Sequence, residues 1–155
     1  MQVRRNALVE RSAEQMFDLI EAAERYPLFL PWCSGATIVE RSDTVVAAEL
    51  QVRVAGSQFA MSTRNEKQRP RWMAIHLHSG PFRRFEGEWT LVPLGAQACR
   101  VDFALDYEFR HGFVTRAVLP VFDRMADSMV DAFVRRAESL PPYEPVPVSG
   151  SDSPP

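Results

Sequence analysis

Hydrophobic residues recur at every second position through the middle of the chain and at every third or fourth position near its two ends, a pattern that predicts a sheet framed by helices. Gln2 to Glu10 suit a first strand. Ser12-Ala13-Glu14-Gln15 then has the S-x-x-Q form of a capping box, in which side chains satisfy the orphan N–H groups of a helix start. Met16, Phe17, Leu19, Ile20 and Ala23 follow on one apolar face of about three turns, which ends before Tyr26-Pro27. From Gly35 onward the period is two. Val46, Ala48, Leu50, Val52 and Val54 alternate with Ala47, Glu49, Gln51 and Arg53. The same alternation returns in Phe59, Met61 and Thr63, in Met73, Ile75 and Leu77, in Phe85, Gly87, Trp89 and Leu91, and at every second residue from Cys99 to Phe109. Arg100, Asp102, Asp106 and Glu108 hold the opposite parity, so each strand has one wet and one buried face. Ala55-Gly56-Ser57, Gln68-Arg69-Pro70, Ser79-Gly80-Pro81 and Pro93-Leu94-Gly95 supply turns, and the strands form a meander of hairpins.

After His111-Gly112 the period is helical again, with Val118, Phe122, Met125, Ala126, Met129, Val130 and Phe133 in a broad apolar stripe. Pro120 predicts a kink or a helix that begins close to Leu119. The expected fold class is therefore α+β: a curved antiparallel sheet of six to seven strands around a long C-terminal helix. Residues 1–140 make one domain, and residues 141–155, with half of the chain's 12 prolines, are expected to be a disordered tail.

Composition narrows the function. No apolar run approaches the roughly 20 residues of a membrane span, and the N-terminus lacks the apolar core of a signal peptide. Cys33 and Cys99 stand far apart in sequence and read as reduced thiols of a cytosolic protein. A net charge of −2 gives no footprint for general DNA binding. Arg64, Arg83, Arg84, Arg100, Arg110 and Arg116 alternate with acids and read first as a mixed-sign surface; aligned by neighbouring strands they would instead form a basic zone for anionic headgroups or ribosomal RNA. His76 and His78 fall on the strand face opposite Met73, Ile75 and Leu77, with no Asp, Glu or Cys beside them in the same strand. Their i, i+2 spacing admits a metal only with a third ligand from a neighbouring strand, so an exposed sheet face is the preferred reading, and no catalytic residue or required cofactor is expected.

Three motifs carry a resemblance: Tyr26-Pro27-x-Phe29-Leu30-Pro31-Trp32-Cys33, the turn Gly80-Pro81-Phe82 leading to Glu86-Gly87-x-Trp89, and Met129-Val130-x-Ala132-Phe133-x-x-Arg136-Ala137. From about Val3 to Leu140 the chain resembles the coenzyme Q-binding family of START-like, helix-grip domains in the polyketide cyclase/dehydrase superfamily, whose bacterial branch includes ribosome association toxins. The resemblance implies an apolar cavity between sheet and C-terminal helix that binds ubiquinone or a similar isoprenoid lipid without catalysis. It further implies a supporting role in respiratory electron transport, with peripheral contact to the cytoplasmic membrane or respiratory complexes. The bacterial branch implies a different partner, the large ribosomal subunit, and hindered subunit joining. Aromatase/cyclase chemistry follows from the fold at large and has only Thr63 and Tyr107 as inward polar groups.

The candidate ligand-binding residues are the inward aromatics and methionines of the strands, Phe59, Met61, Met73, Phe85, Trp89, Phe103 and Tyr107, with Phe82 of the Gly80-Pro81-Phe82 turn at the expected pocket mouth. Phe122, Met125, Met129 and Phe133 of the closing helix join them. Phe29 and Trp32 are candidates for a gate, whereas Leu28 and Leu30 read as a plug at one end of the sheet.

Overall fold

The alternating side chains build seven antiparallel strands in a computed structural model that describes residues 1–144. In chain order the elements are β1 (Gln2–Val9), α1 (Ala13–Glu21), a 3-10 helix (Ala23–Leu28), β2 (Cys33–Arg41), β3 (Val45–Val54), β4 (Ser57–Gln68), β5 (Trp72–Ser79), β6 (Phe82–Gly95), β7 (Ala98–Phe109), α2 (Val118–Asp127) and α3 (Met129–Ser139). The sheet order is β1-β7-β6-β5-β4-β3-β2, so every neighbour from β2 to β7 is joined by a hairpin and β1 returns beside β7. Register shifts at Cys33/Gly35, Ile38/Glu40, Ser62/Thr63, Phe82/Arg84 and Pro93/Gly95 interrupt the ladders, and such bulges bend and twist a sheet. One face thereby curves around α2 and α3, which touch β1, while α2 also touches β3.

Local chemistry explains the element ends. Ser12 caps α1 by accepting from the Gln15 backbone N–H at 3.1 Å, one half of the expected capping box. The other half does not form. The Gln15 amide instead donates to the Pro141 carbonyl at 2.9 Å and accepts from the Tyr143 N–H at 2.8 Å. Tyr143 in turn donates its hydroxyl to Asp18 at 2.8 Å, and its carbonyl accepts from Gln97 at 2.8 Å. Residues 141–144, expected to belong to a disordered tail, are thus tied to α1 by hydrogen bonds, while the remainder of that tail lies outside the described residues.

The first helix ends earlier than its apolar pattern predicts, at Glu21, and Pro27 sits inside the short 3-10 helix that follows. The closing helix differs as well. It begins at Val118 with Pro120 in its first turn, where a missing N–H costs no helical bond. Its break lies eight residues later, at Ser128, which departs from helical geometry at φ −94°, ψ 2° and turns its hydroxyl back to the Met125 carbonyl at 3.1 Å. Such back-bonding competes with the helical ladder. The expected single rod is therefore two short helices carrying one shared apolar stripe.

Candidate functional site

The space between sheet and helices is filled by two groups of aromatic rings. In one, Phe82 stacks on Phe109 with centroids 4.5 Å apart and meets Phe59, Phe85 and Phe122. In the other, Phe133 stands edge-on to Tyr26, Phe29 and Trp89 at 5.2–5.3 Å, and Trp89 leans on Phe103 at 4.4 Å. A cavity is lined by members of both, with Phe85 and Phe122 from the first group and Tyr26, Trp89 and Phe133 from the second. Its apolar wall is continued by Trp32, Met61, Met125 and Met129, with Ile20 of α1, Ala23 of the 3-10 helix and aliphatic residues of β3, β5 and β7. Its volume is about 80 Å³. That is several times the roughly 10–15 Å³ one water needs. It is below the roughly 300–1,000 Å³ of pockets for drug-sized molecules. A short apolar segment fits as the walls stand; a whole prenylated quinone requires side chains to give way.

Eight of the candidate residues line this cavity: Trp32, Met61, Phe85, Trp89, Phe122, Met125, Met129 and Phe133. Six do not. Phe59 and Phe82 are spent on the aromatic group around Phe109, and Phe103 backs Trp89 from behind. Met73 is buried in the core, where its sulfur faces the Asn65 amide at 3.7 Å. Phe29 lies against Tyr26 and Phe133 outside the cavity, with the Arg136 guanidinium 5.6 Å above its ring. Tyr107 turns its hydroxyl away, donating it to the Asp123 carboxylate. Leu30 is fully buried as a plug should be, but Leu28 is 67% exposed, because the 3-10 geometry rotates it outward.

Polar groups that the alternation of Phe59, Met61 and Thr63 left unread complete the wall. Continued two residues further, the parity of β4 brings Asn65 and then Lys67 to the inner face. Thr63, Asn65, Tyr26 and Glu21 line the cavity. Lys67 reaches Glu21 at 3.0 Å, and Glu21 also accepts from Arg41 at 2.8 Å. The strand thus runs from an apolar region to an ion-paired closed end. The Asn65 side-chain oxygen is buried without a hydrogen-bond partner among the described residues. A buried acceptor left unpaired costs about 1–3 kcal/mol, so a water or a ligand group that donates to Asn65 from the cavity is favoured there.

Burial also sets the titration of the phenols. Tyr26 is pushed well above the ordinary tyrosine value by burial, and Tyr107 by burial together with its bond to the Asp123 carboxylate. Tyr143 rises to about 12, from burial and then from Asp18. All three shifts are upward, so below pH about 10 the phenols are neutral in both folded and unfolded chains and cost nothing. Above that pH the unfolded chain gains by ionising and the folded one does not; stability falls as the pH climbs towards the folded values. An ultraviolet titration is expected to show no phenolate near pH 10 and a rise that coincides with alkaline unfolding. A normal titration curve in the folded protein would contradict these placements.

His76 and His78 are exposed. Cys33 and Cys99 are buried free thiols whose pKa values burial raises, Cys99 to about 11, the opposite of an activated nucleophile. No helix among the described residues is long and apolar enough to cross a membrane.

A bent meander gripping a C-terminal helical stripe over an apolar cavity defines the START-like, helix-grip class. Residues 9–134 match the model of the family described as polyketide cyclase / dehydrase and lipid transport, and the chain belongs to that family. Among curated relatives, the ribosome association toxin RatA of Vibrio cholerae is 39% identical over 139 residues, covering 90% of this chain and 96% of that one. The mitochondrial coenzyme Q-binding protein COQ10 homolog B of Xenopus laevis is 24% identical, covering 90% of this chain and 59% of that protein. Two solved structures share the fold: the ZhuI aromatase/cyclase of Streptomyces sp. R1128, with a TM-score of 0.77 at 19% identity over 89% of this chain and 93% of that one, and a START superfamily protein of Mycobacterium smegmatis, with a TM-score of 0.73 at 21% identity over 89% and 97%. At those identities the likeness is one of architecture, while the curated relatives with higher identity are named as toxins rather than enzymes.

Proposed function

We propose that this protein associates with the ribosome, contacts the large subunit and hinders subunit joining. The observation that carries this reading is identity of 38–39% with proteins named ribosome association toxin, sustained over 90% of the chain. The test is a sucrose-gradient profile after overexpression. Accumulation of separate subunits at the expense of whole ribosomes is the expected result, and an unchanged profile overturns the reading.

A second reading, binding of an isoprenoid quinone or related lipid, is favoured by the cavity itself. Its walls are mostly apolar, and three of them are methionines, whose flexible thioethers adapt to varied apolar partners. Tail burial would contribute ~25 cal/mol per Å² before ordering costs. The limited volume makes this the secondary reading: as its walls stand the cavity takes a short segment of such a tail, and a whole prenylated quinone only if flexible wall side chains such as Met125 and Met129 move aside. Lipid extracted from the purified protein and identified by mass spectrometry tests it.

A further inference from the structure

Six chain segments meet at one end of the sheet. The ends of β3, β5 and β7 and the starts of β4 and β6 lie there by register, and the N-terminal amine joins them through its bond to the Tyr107 carbonyl. The connection from β7 to α2, residues 110–117, crosses this end beside α2. On one side of α2 a surface depression is lined by Met1, Arg110, His111, Arg116 and Leu119, with the carboxylates Glu108 and Asp123 that Arg84 and the Tyr107 hydroxyl engage; on the other side a second is lined by Trp32, Arg53 and Arg124.

Charge is distributed unevenly between this end and the opposite one. At the far end most cations are matched: Arg41 and Lys67 bind Glu21, Arg41 binds Glu24 as well, and Arg69 binds Asp18, while Arg25 and Arg71 form no ion pair among the described residues. At the near end Arg83 and Arg84 are matched to Asp106 and Glu108. Arg53, Arg110, Arg116 and Arg124 are exposed, and none of them forms an ion pair among the described residues. A chain of net charge −2 therefore carries a locally positive end. On the connection that crosses it stands Phe113, 65% exposed, with the Arg110 guanidinium 5.9 Å from its ring centroid.

An exposed aromatic ring beside unmatched arginines fits a particular partner. Every nucleobase has a face that stacks on such a ring, and unmatched guanidinium groups replace the counterions of a phosphate backbone. A lipid surface would ask for more: interfacial segments bury a continuous apolar face, whereas this end exposes only Phe113 and Leu119 among its large apolar residues besides Met1. We infer that this end is a binding surface for single-stranded RNA, on which Phe113 stacks an unpaired base and Arg110, Arg116, Arg124 and Arg53 hold the flanking phosphates. The inference rests on the ribosome-association reading for its biological target and names the contact by which that association is made.

The test uses the full chain, with Phe113→Ala and the pair Arg110→Gln, Arg116→Gln, all exposed and distant from the cavity wall. Binding is read by fluorescence anisotropy to a short single-stranded oligoribonucleotide of mixed A and U, and by cosedimentation with purified large ribosomal subunits. Each variant is expected to weaken both by about tenfold. The paired arginine variant should also lower the salt slope of oligonucleotide binding by about 1 to 2. Equal oligonucleotide binding by wild type and variants, or none by either, overturns the surface. Wild-type cosedimentation that the variants share overturns it too, but leaves the ribosome-association reading intact. Absent cosedimentation with variant-sensitive oligonucleotide binding sinks the ribosomal reading and keeps the surface. If the variants instead lose binding only to vesicles of phosphatidylcholine with phosphatidylglycerol, the end faces lipid and the inference fails.

Discussion

Phe133→Ala is expected to destabilise the protein by ~3–5 kcal/mol, the range for removing a buried ring and leaving a void. Phe133 is 1% exposed, and its ring is the one that Tyr26, Phe29 and Trp89 all meet. Its loss unties the 3-10 segment from α3 and β6 at once. For a chain of this size the midpoint of thermal unfolding should fall by roughly 10 °C or more. Phe113→Ala supplies the contrast, because a side chain 65% exposed should shift stability by less than about 0.5 kcal/mol. A Phe133→Ala protein that melts within a few degrees of wild type would mean that the second aromatic group does not organise the core as described.

Trp32→Asp is the second large effect, and it bears on the lipid reading. Trp32 is half-buried and lines both the cavity and the surface depression that holds Arg53 and Arg124, so a carboxylate placed there finds cations nearby and the fold should survive. The cavity, however, acquires a charge that holds water, and an apolar tail cannot displace it without leaving that charge unsolvated. Copurified lipid, measured by mass spectrometry, should fall at least about tenfold in a folded variant. Undiminished lipid would remove Trp32 from the binding wall. The corresponding change at Phe122 is less informative, since a carboxylate among the rings of Phe82, Tyr107 and Phe109 is expected to prevent folding.

Period and turn chemistry made most of the sheet legible, because a strand with one wet face writes its geometry into alternate residues. The alternation of Val46 to Val54 and of Cys99 to Phe109 corresponds to β3 and β7. β2 was the least visible strand: its two register shifts break the parity, and Val39 stands 69% exposed within it. Ser128 left no recognisable signal, since a serine inside an apolar stripe is common and the break depends on where its hydroxyl turns. The site was legible by face but not by depth. Parity says that Phe103 and Trp89 point inward; it does not say that only Trp89 meets the cavity, which depends on where α2 and α3 stand, and Phe82 is buried out of parity because a register shift separates it from Arg84. Asn65 and Lys67 carried a readable signal in the continued parity of β4, masked by the expectation that inward means apolar.

The shape of β2 has a further bearing on how the protein behaves in a crowded solution. As the last strand of an unclosed sheet it offers backbone donors and acceptors to any passing extended chain, the template from which fibrils grow. Its two offsets throw that row out of step, and Glu40 and Arg41 set opposite charges at its outer end. A stranger's backbone can match only a few residues before the spacing fails, so a fold with an unpaired margin can still be concentrated without polymerising.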